Sequence, residues 1–513
     1  MKRRAFCVSA AAAVGAAALP FGRVFAAVSS VTADITAVTG DGRKILLRAS
    51  DVEDFRAGLR GYLLLPSARG YDDARKIFNG MFDRRPALIA RCTGAADVVR
   101  AVNFARANEL LVAVRGGGHS LSGQSVCDDG LMIDLSAMRS VRVDPVRRLA
   151  RAEGGALLGD IDRETLPFGL VTTTGTVSHT GAGGLTLGGG FGRLARRFGL
   201  TCDQLSSVDV VTADGKLLAA SGTENPDLFW AIRGGGGNFG IATSFEYRLH
   251  SFDGQAYGGH LVFPIEQARQ ALRGFADLYD RAPDGLWIEP ILTTLPDGSR
   301  VLVMDVCCSE GLDSAEAALA PYRRLGRPIK DAVGLVNYVR LQMQDDERAH
   351  IGGRYYTKSG FVSRLDHDLI DVMLEVIKGA PVARPRIAMP PKGGAVDRVA
   401  RDATAFWHRD ALYSVILQTS GDDPDEDADN VGLARSQWPL LEKFTTGFYA
   451  NTNLMEVATA RIRDAYGGNY ERLLSLKRKY DPGNLFRLNA NIDPRAFARA
   501  ASIQRGFPGA GLT

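Results

Sequence analysis

The chain has 513 residues, 45% hydrophobic and 23% charged, an ordinary globular composition long enough for two or three domains. Its formal net charge of +4 is lost with the first 27 residues, which hold Lys2, Arg3, Arg4 and Arg23 and no acids, so the remainder is near neutral. That balance excludes nucleic acid and an anionic membrane as partners, and no later stretch has the apolar length of a transmembrane helix.

In chain order, Lys2, Arg3 and Arg4 precede an alanine-rich apolar stretch ending in Val24-Phe25-Ala26-Ala27, which predicts a signal peptide over residues 1–27. Arg3-Arg4-Ala5-Phe6 resembles the twin-arginine export motif, a route for proteins already folded, often around a cofactor. The export machinery is then a partner, and the mature chain is periplasmic or secreted. Five cysteines remain after residue 27, with neither metal-site spacing nor the density of a disulfide framework, which leaves a single bridge open. Residues 28–82 show no chemistry; Asp72, Asp73, Arg75, Ile77, Phe78, Met81 and Phe82 suggest one short amphipathic helix, and the segment reads as packing.

From Arg85 the signals sharpen. Arg85–Ala90 reads as a strand, 95–108 as a helix with apolar positions at Val98, Val99, Val102 and Ala105, and Leu110–Arg115 as a second strand. This last strand runs into Arg115-Gly116-Gly117-Gly118-His119-Ser120. Consecutive glycines let backbone N–H groups approach an anion closely, so the turn suits phosphate and presents a reactive imidazole; the alternative is a surface turn with an incidental histidine. A strand at 131–135, a hairpin turned by Asp144-Pro145, a helix over 156–166 and a β-prone run over 171–174 follow.

A second glycine concentration puts eight glycines into the eighteen residues from Gly175 to Gly192, which predicts an extended loop without helix or strand, lying against something flat or anionic. A hairpin over 206–221 turns at Asp214-Gly215, and a short helix from Asn225 leads to a third run, Arg233 to Gly240, feeding a strand over 241–249. Gly235–Gly240 and Gly190–Ala195 satisfy the dinucleotide pattern G-x-G-x-x-G/A. Neither has the strand before and helix after that the Rossmann fingerprint requires, so that fold is set aside.

Residues 253–442 alternate β-prone stretches (258–263, 286–292, 300–308, 411–418) with amphipathic helices (267–279, 314–325, 366–379), an α+β pattern. Tyr355, Tyr356, Phe406, Trp407, His408 and Arg409 are candidates for a substrate-facing surface, with core packing as the alternative. The C-terminal stretch carries Phe448-Tyr449-Ala450-Asn451-Thr452-Asn453, a helix over 469–479 stopped by Asp481-Pro482-Gly483, and Asn489-Ala490-Asn491-Ile492; a surface helix and a loose tail are expected over 496–513.

The three glycine runs and this C-terminal tract together resemble the FAD-linked oxidases of the berberine bridge enzyme-like group, within the p-cresol methylhydroxylase-type flavoprotein superfamily, over roughly Arg85 to Pro494. The resemblance implies an α+β fold: a two-part FAD-binding domain (83–252, with a return at 443–495) and a substrate domain (253–442) of antiparallel sheet and covering helices. It implies FAD contacts at Arg115, Gly116, Gly117, Gly118, His119 and Ser120; at Gly175, Val177, Thr180, Gly181, Gly184 and Gly190; and at Gly240, Ile241, Tyr449, Asn489 and Asn491. His119 takes the place of the histidine bonded to the flavin 8α-methyl. A second tether, where the group has one, comes from a cysteine fifteen residues before the last glycine of G-G-G-F-G; here that position is Val177, so a single link is expected, with the role of His179 left open. Thr180 stands where the group controls the approach of oxygen, and Tyr449 where it places a catalytic base or proton relay, which nearby positive charge or hydrogen bonds must tune from its ordinary pKa near 10.

The implied activity is an exported flavoprotein oxidase taking hydride from a CH–OH group of a sugar, alcohol or secondary metabolite, with O2 as acceptor and hydrogen peroxide as product. A dehydrogenase passing electrons to a quinone or protein, and a flavin- or ligand-binding protein without a working base, are the alternatives.

Overall fold

The computed structural model describes residues 31–380, 385–452 and 461–496; the expected signal peptide, the tail after 496 and Asn453 lie outside them. Three sheets organise the chain. The first has four strands in the order Tyr62–Leu64, Leu88–Arg91, Leu131–Asp134, Val112–Arg115. The inner pairings are parallel and the helix Ala95–Ala107 makes the crossover between Leu88–Arg91 and Val112–Arg115, so the glycine turn leaves from the carboxyl end of a parallel strand. Val98, Ala101, Val102 and Ala105 bury one face of that helix, matching the apolar spacing of the sequence.

The second sheet is antiparallel, in the order Leu217–Ser221, Leu205–Val211, Ile241–Arg248, Leu149–Glu153, Val141–Asp144. The C-terminal helix Tyr470–Tyr480 shares its core through Tyr470, Leu473, Leu474 and Leu476, and Ala490 and Ile492 extend it. At the helix end the buried Lys477 ammonium donates to Asp481 Oδ2 (2.7 Å) and to the carbonyls of Asn238 (2.8 Å) and Phe486 (2.9 Å). A buried charge with every donor engaged fixes the following tract in place.

The third sheet has eight antiparallel strands; Gln255–Pro264, Arg300–Cys308, Leu286–Thr294, Arg386–Ala388, Tyr413–Gly421 and Arg354–Val362 follow one another in space. Helices Ile265–Tyr279, Leu312–Arg323, His367–Lys378 and Asp427–Glu442 cover one face and bury the largest apolar cluster. The other face turns towards the first half of the chain.

Three expectations are corrected. The segment 28–82 is more than packing with a single helix: Ile35–Val38 and Lys44–Leu47 form a hairpin, Ala49–Ala57 a helix, and Tyr62–Leu64 an edge strand of the first sheet, its alternation too short to stand out. The glycine-dense loop contains a helix, Ala182–Leu187, held by packing where propensity fails: Thr186 Oγ1 meets Tyr247 Oη at 2.8 Å, and the missing side chain of Gly183 lets the helix approach the Gly154 carbonyl. The β-prone run 171–174 pairs only at Leu170–Val171, while Thr173 and Thr174 spend their hydroxyls on the Gly199 carbonyl and Asp162. Among the described residues the five cysteines are free and buried, no helix is long and apolar enough to cross a membrane, and no His, Cys, Asp and Glu group could hold a metal.

Candidate functional site

The glycine runs and the C-terminal tract meet around one cavity of about 440 Å³. Gly116, Gly117, Gly118, His119 and Ser120 supply one wall; Gly175, Val177, Thr180, Gly181 and Gly184 the next; Gly240 and Ile241 the third; Tyr449 and Asn489 close it. The first two walls touch backbone to backbone: a Cβ on Gly117 would collide with the Cα of Gly181, so this contact admits only glycine. Several buried polar atoms around the cavity have no partner in the protein, namely Ser125 Oγ, His119 Nε2 and Asn489 Oδ1. Buried polar groups left unpaired are costly, so a lining of bare backbone with such atoms fits a dinucleotide that brings its own hydrogen-bonding groups and phosphates.

Three of the expected residues do not line the cavity. Arg115 turns its guanidinium back to the Ala74 carbonyl (3.0 Å) and the Asp134 carboxylate (3.7 Å), satisfying the charge inside the first sheet. Gly190 reaches the site through its N–H, which donates to Tyr449 Oη at 3.3 Å. Asn491 follows the last lining residue, Ala490, with its Oδ1 buried and unpartnered.

The two ends of the cavity differ in chemistry. At one, His119 lies on Phe78 with ring centroids 3.8 Å apart, and Phe78 lies on Tyr355 at 4.7 Å. His179 stands beside this stack, 5.1 Å from His119, and Val177 packs with the same aromatics. Burial first, and the neighbouring His179 second, push the His119 pKa down to about 3, so the imidazole is neutral. At the other end, Tyr449 is buried against Phe191, at 4.5 Å, and its oxygen accepts hydrogen bonds from Gly190 N and Asn451 Nδ2 (3.0 Å). Burial raises its pKa and outweighs the two donors, which act in the opposite sense; of the positive charge or hydrogen bonds expected to tune it, the hydrogen bonds are present, but the net shift is upward. With both lone-pair positions occupied, the phenol O–H is its remaining valence.

Sequence reasoning missed the residues that hold these walls together. Asn238 donates to the carbonyls of Gly235 (2.9 Å) and Ala490 (3.1 Å) and accepts from Ile492 N (3.0 Å), clasping the third glycine run to the C-terminal tract. Arg193, fully buried, joins the second run to the third sheet through Asp305 Oδ2 (2.7 Å), Gln342 Oε1 (3.0 Å) and the Thr176 carbonyl (3.2 Å). Phe78, read as packing, and Tyr355, read as a substrate-facing candidate, gave no local sign of the stack they form, because it spans distant chain segments.

On the cavity-side face of the third sheet, register groups Tyr355, Thr357 and Phe361 with Arg386, Glu289 and Asp305. Burial raises the Glu289 pKa to about 7 and lowers that of Arg386 to about 10, the two standing 3.8 Å apart. Of the six substrate-facing candidates, Tyr355 and Phe406 reach the edges of the cavity walls, the latter 5.7 Å from Phe191. Tyr356 is in the apolar core, Trp407 abuts Gly467 and Gly468, His408 bonds the Asp464 carbonyl, and Arg409 pairs with Asp203.

Comparison with known proteins adds to the geometry. Residues 86–221 match the family described as FAD binding domain, and residues 449–493 the family described as berberine and berberine like. An FAD-linked oxidoreductase of Dictyostelium discoideum is 32% identical over 86% of this chain and 97% of its own length. The (R)-6-hydroxynicotine oxidase of Paenarthrobacter nicotinovorans is likewise 32% identical, over 85% and 97%. Among solved structures, 6-hydroxy-D-nicotine oxidase from Arthrobacter nicotinovorans superposes with a TM-score of 0.78 at 30% identity, covering 85% of this chain and 98% of that one. A chitooligosaccharide oxidase shares the fold, with a TM-score of 0.76 at 24% identity over 86% and 98%.

Proposed function

Since the chain belongs to the berberine bridge enzyme-like FAD-linked oxidoreductases, we propose that it is an exported oxidase that takes hydride from a CH–OH carbon to FAD tethered once, through His119, and returns the electrons to O2 as hydrogen peroxide. FAD supplies the two-electron acceptor when bound. The observation that supports this reading best is the pairing, across one cavity, of a neutral, partly unpartnered imidazole with a phenol whose proton is free.

In this reading Gly116–Ser120, Thr180, Gly181 and Asn489 hold the cofactor by backbone and amide groups, and the apolar Val177 leaves His119 as the single link. Tyr449, protonated in the resting site, donates to the substrate oxygen and relays that oxygen's proton by releasing its own to water and taking the substrate's in its place; Gly190 and Asn451, which donate to the phenol oxygen, steady it through the exchange. The face bearing Glu289, Arg386 and Thr357 receives the substrate's polar groups. The basic, alanine-rich leader accounts for export.

The named relatives favour a second substrate class, because a hydroxynicotine offers a carbon beside nitrogen as well as a hydroxyl. Purified protein should be yellow, keep its flavin through acid precipitation, and bleach anaerobically with its substrate. A panel of sugars, alcohols and cyclic amines separates the two classes, and turnover with and without O2 separates an oxidase from a dehydrogenase. A folded, colourless protein that takes up no FAD overturns the proposal.

A further inference from the structure

His179 has no place in the function just described, yet it is among the most constrained side chains at the site. Both of its ring nitrogens are buried without a hydrogen-bond partner, as is Nε2 of His119. Its backbone is pinned on both sides: Ser178 donates to the Asp346 carboxylate through N (2.9 Å) and Oγ (2.6 Å), the Ser178 carbonyl accepts from Gly159 N (2.8 Å), and the Thr180 carbonyl accepts from Leu158 N (2.9 Å). Burying an imidazole with nothing to bond costs free energy, so a fold that fixes one so firmly has a partner for it.

The imidazole beside it is His119, although no hydrogen bond joins the two rings as they stand. The centroids are 5.1 Å apart. An in-plane N–H···N bond between two imidazoles needs about the same distance, a hydrogen bond of about 2.9 Å plus two ring radii of about 1.1 Å. A rotation of either ring brings the bond into line. The neutral His119 ring has one donor and one acceptor nitrogen, so a neighbouring imidazole can take its proton without a further charged group. Phe78, stacked on His119 at 3.8 Å and tilted against His179 at 5.9 Å, walls the corner that both rings share.

We propose that His179 is the proton acceptor for attachment of the flavin to His119, a positioning and proton-transfer residue for making the holoenzyme and not for turnover. The inference rests on the tether proposed above. In the attachment, one nitrogen of His119 forms a bond to the flavin 8α carbon; one C–H bond of the 8α-methyl and one N–H bond of His119 break. The two electrons pass through the flavin to dioxygen, and the two protons complete hydrogen peroxide. His179 receives the proton leaving the second nitrogen of His119.

The test follows acid-stable flavin with time after FAD is added to the full-length apoprotein, alongside reversible FAD binding. His179→Ala should bind FAD within about threefold of the unvaried affinity, yet attach it about a hundredfold more slowly, the scale of a lost proton acceptor. Free imidazole should restore the attachment rate in His179→Ala and leave it unchanged in the unvaried chain, a response that loss of packing alone does not produce. Attachment by His179→Ala at the unvaried rate, or a slowing matched by an equal loss of FAD affinity without rescue, overturns the proposal. Should His179→Ala fail to fold by thermal melting, His179→Gln is read by the same two measurements. An unvaried chain that never holds acid-stable flavin overturns the tether itself, an outcome distinct from failure of the His179 inference.

Discussion

The two ends of the cavity are built on opposite principles. At the His119 end, aromatic rings stack on one another and three ring nitrogens are left without partners; at the Tyr449 end, the phenol oxygen has a donor on each lone pair. Unpaired nitrogen in a dry corner is suited to forming a bond, and a saturated hydroxyl to holding a proton at a fixed point. On the proposed function, the difference separates acquiring the cofactor from using it, and each end should be open to disabling while the other still works.

Four changes would break or sharpen this contrast. The largest effect is expected from His119→Ala, which should abolish acid-stable flavin while FAD still binds reversibly; acid precipitation and intact mass read the result. Tyr449→Phe should keep the tether and lower the anaerobic rate of flavin reduction by about 10²- to 10⁴-fold, the range for a lost acid–base group; an unchanged rate removes Tyr449 from the chemistry. Phe78→Ala should cost about 3–5 kcal/mol of stability by denaturant titration, because the ring is buried between His119 and Tyr355. Asn451→Ala, which leaves Gly190 N–H on the phenol, should cost only about 0.5–1.5 kcal/mol, seen as a small drop in melting temperature.

Acid sharpens the contrast further. The folded apoprotein holds His119 neutral down to about pH 3, whereas the unfolded chain protonates it near its ordinary 6.5. Below 6.5 the unfolded state binds the extra proton, so stability falls as pH drops from about 6.5 to 3, by up to about 1.4 kcal/mol per unit. His119→Ala should flatten that part of the profile measured by chemical denaturation; an unchanged slope would place the titration on another group.

What the sequence made legible was local. The helix Ala95–Ala107 was visible in its apolar spacing and the hairpin at Asp214-Gly215 in its turn, and the glycine runs stood out because backbone approach leaves a compositional trace. The errors share one cause. Arg115 was expected to touch FAD because the resemblance places the cofactor along the glycine turn, and the Asp134 that its guanidinium faces comes from the neighbouring parallel strand. Ala182–Leu187 looked too glycine-rich for a helix because the surface it packs on belongs to another sheet. The Phe78–Tyr355 stack and the Arg193–Asp305 pair join residues hundreds and more than a hundred positions apart, and neither partner has a local pattern to mark it.

The Asn238 clasp sets an order of events. One cavity wall is the third glycine run, and its position depends on the Ala490 carbonyl and Ile492 N–H, near the end of the described chain. Contacts of such sequence separation form late, since the intervening loop must close before they contribute. A chain cut between residues 241 and 490 would keep all three glycine runs and His119 but lack the clasp that holds the third run against the C-terminal tract. The clasp thus makes one cavity wall depend on the C-terminal tract.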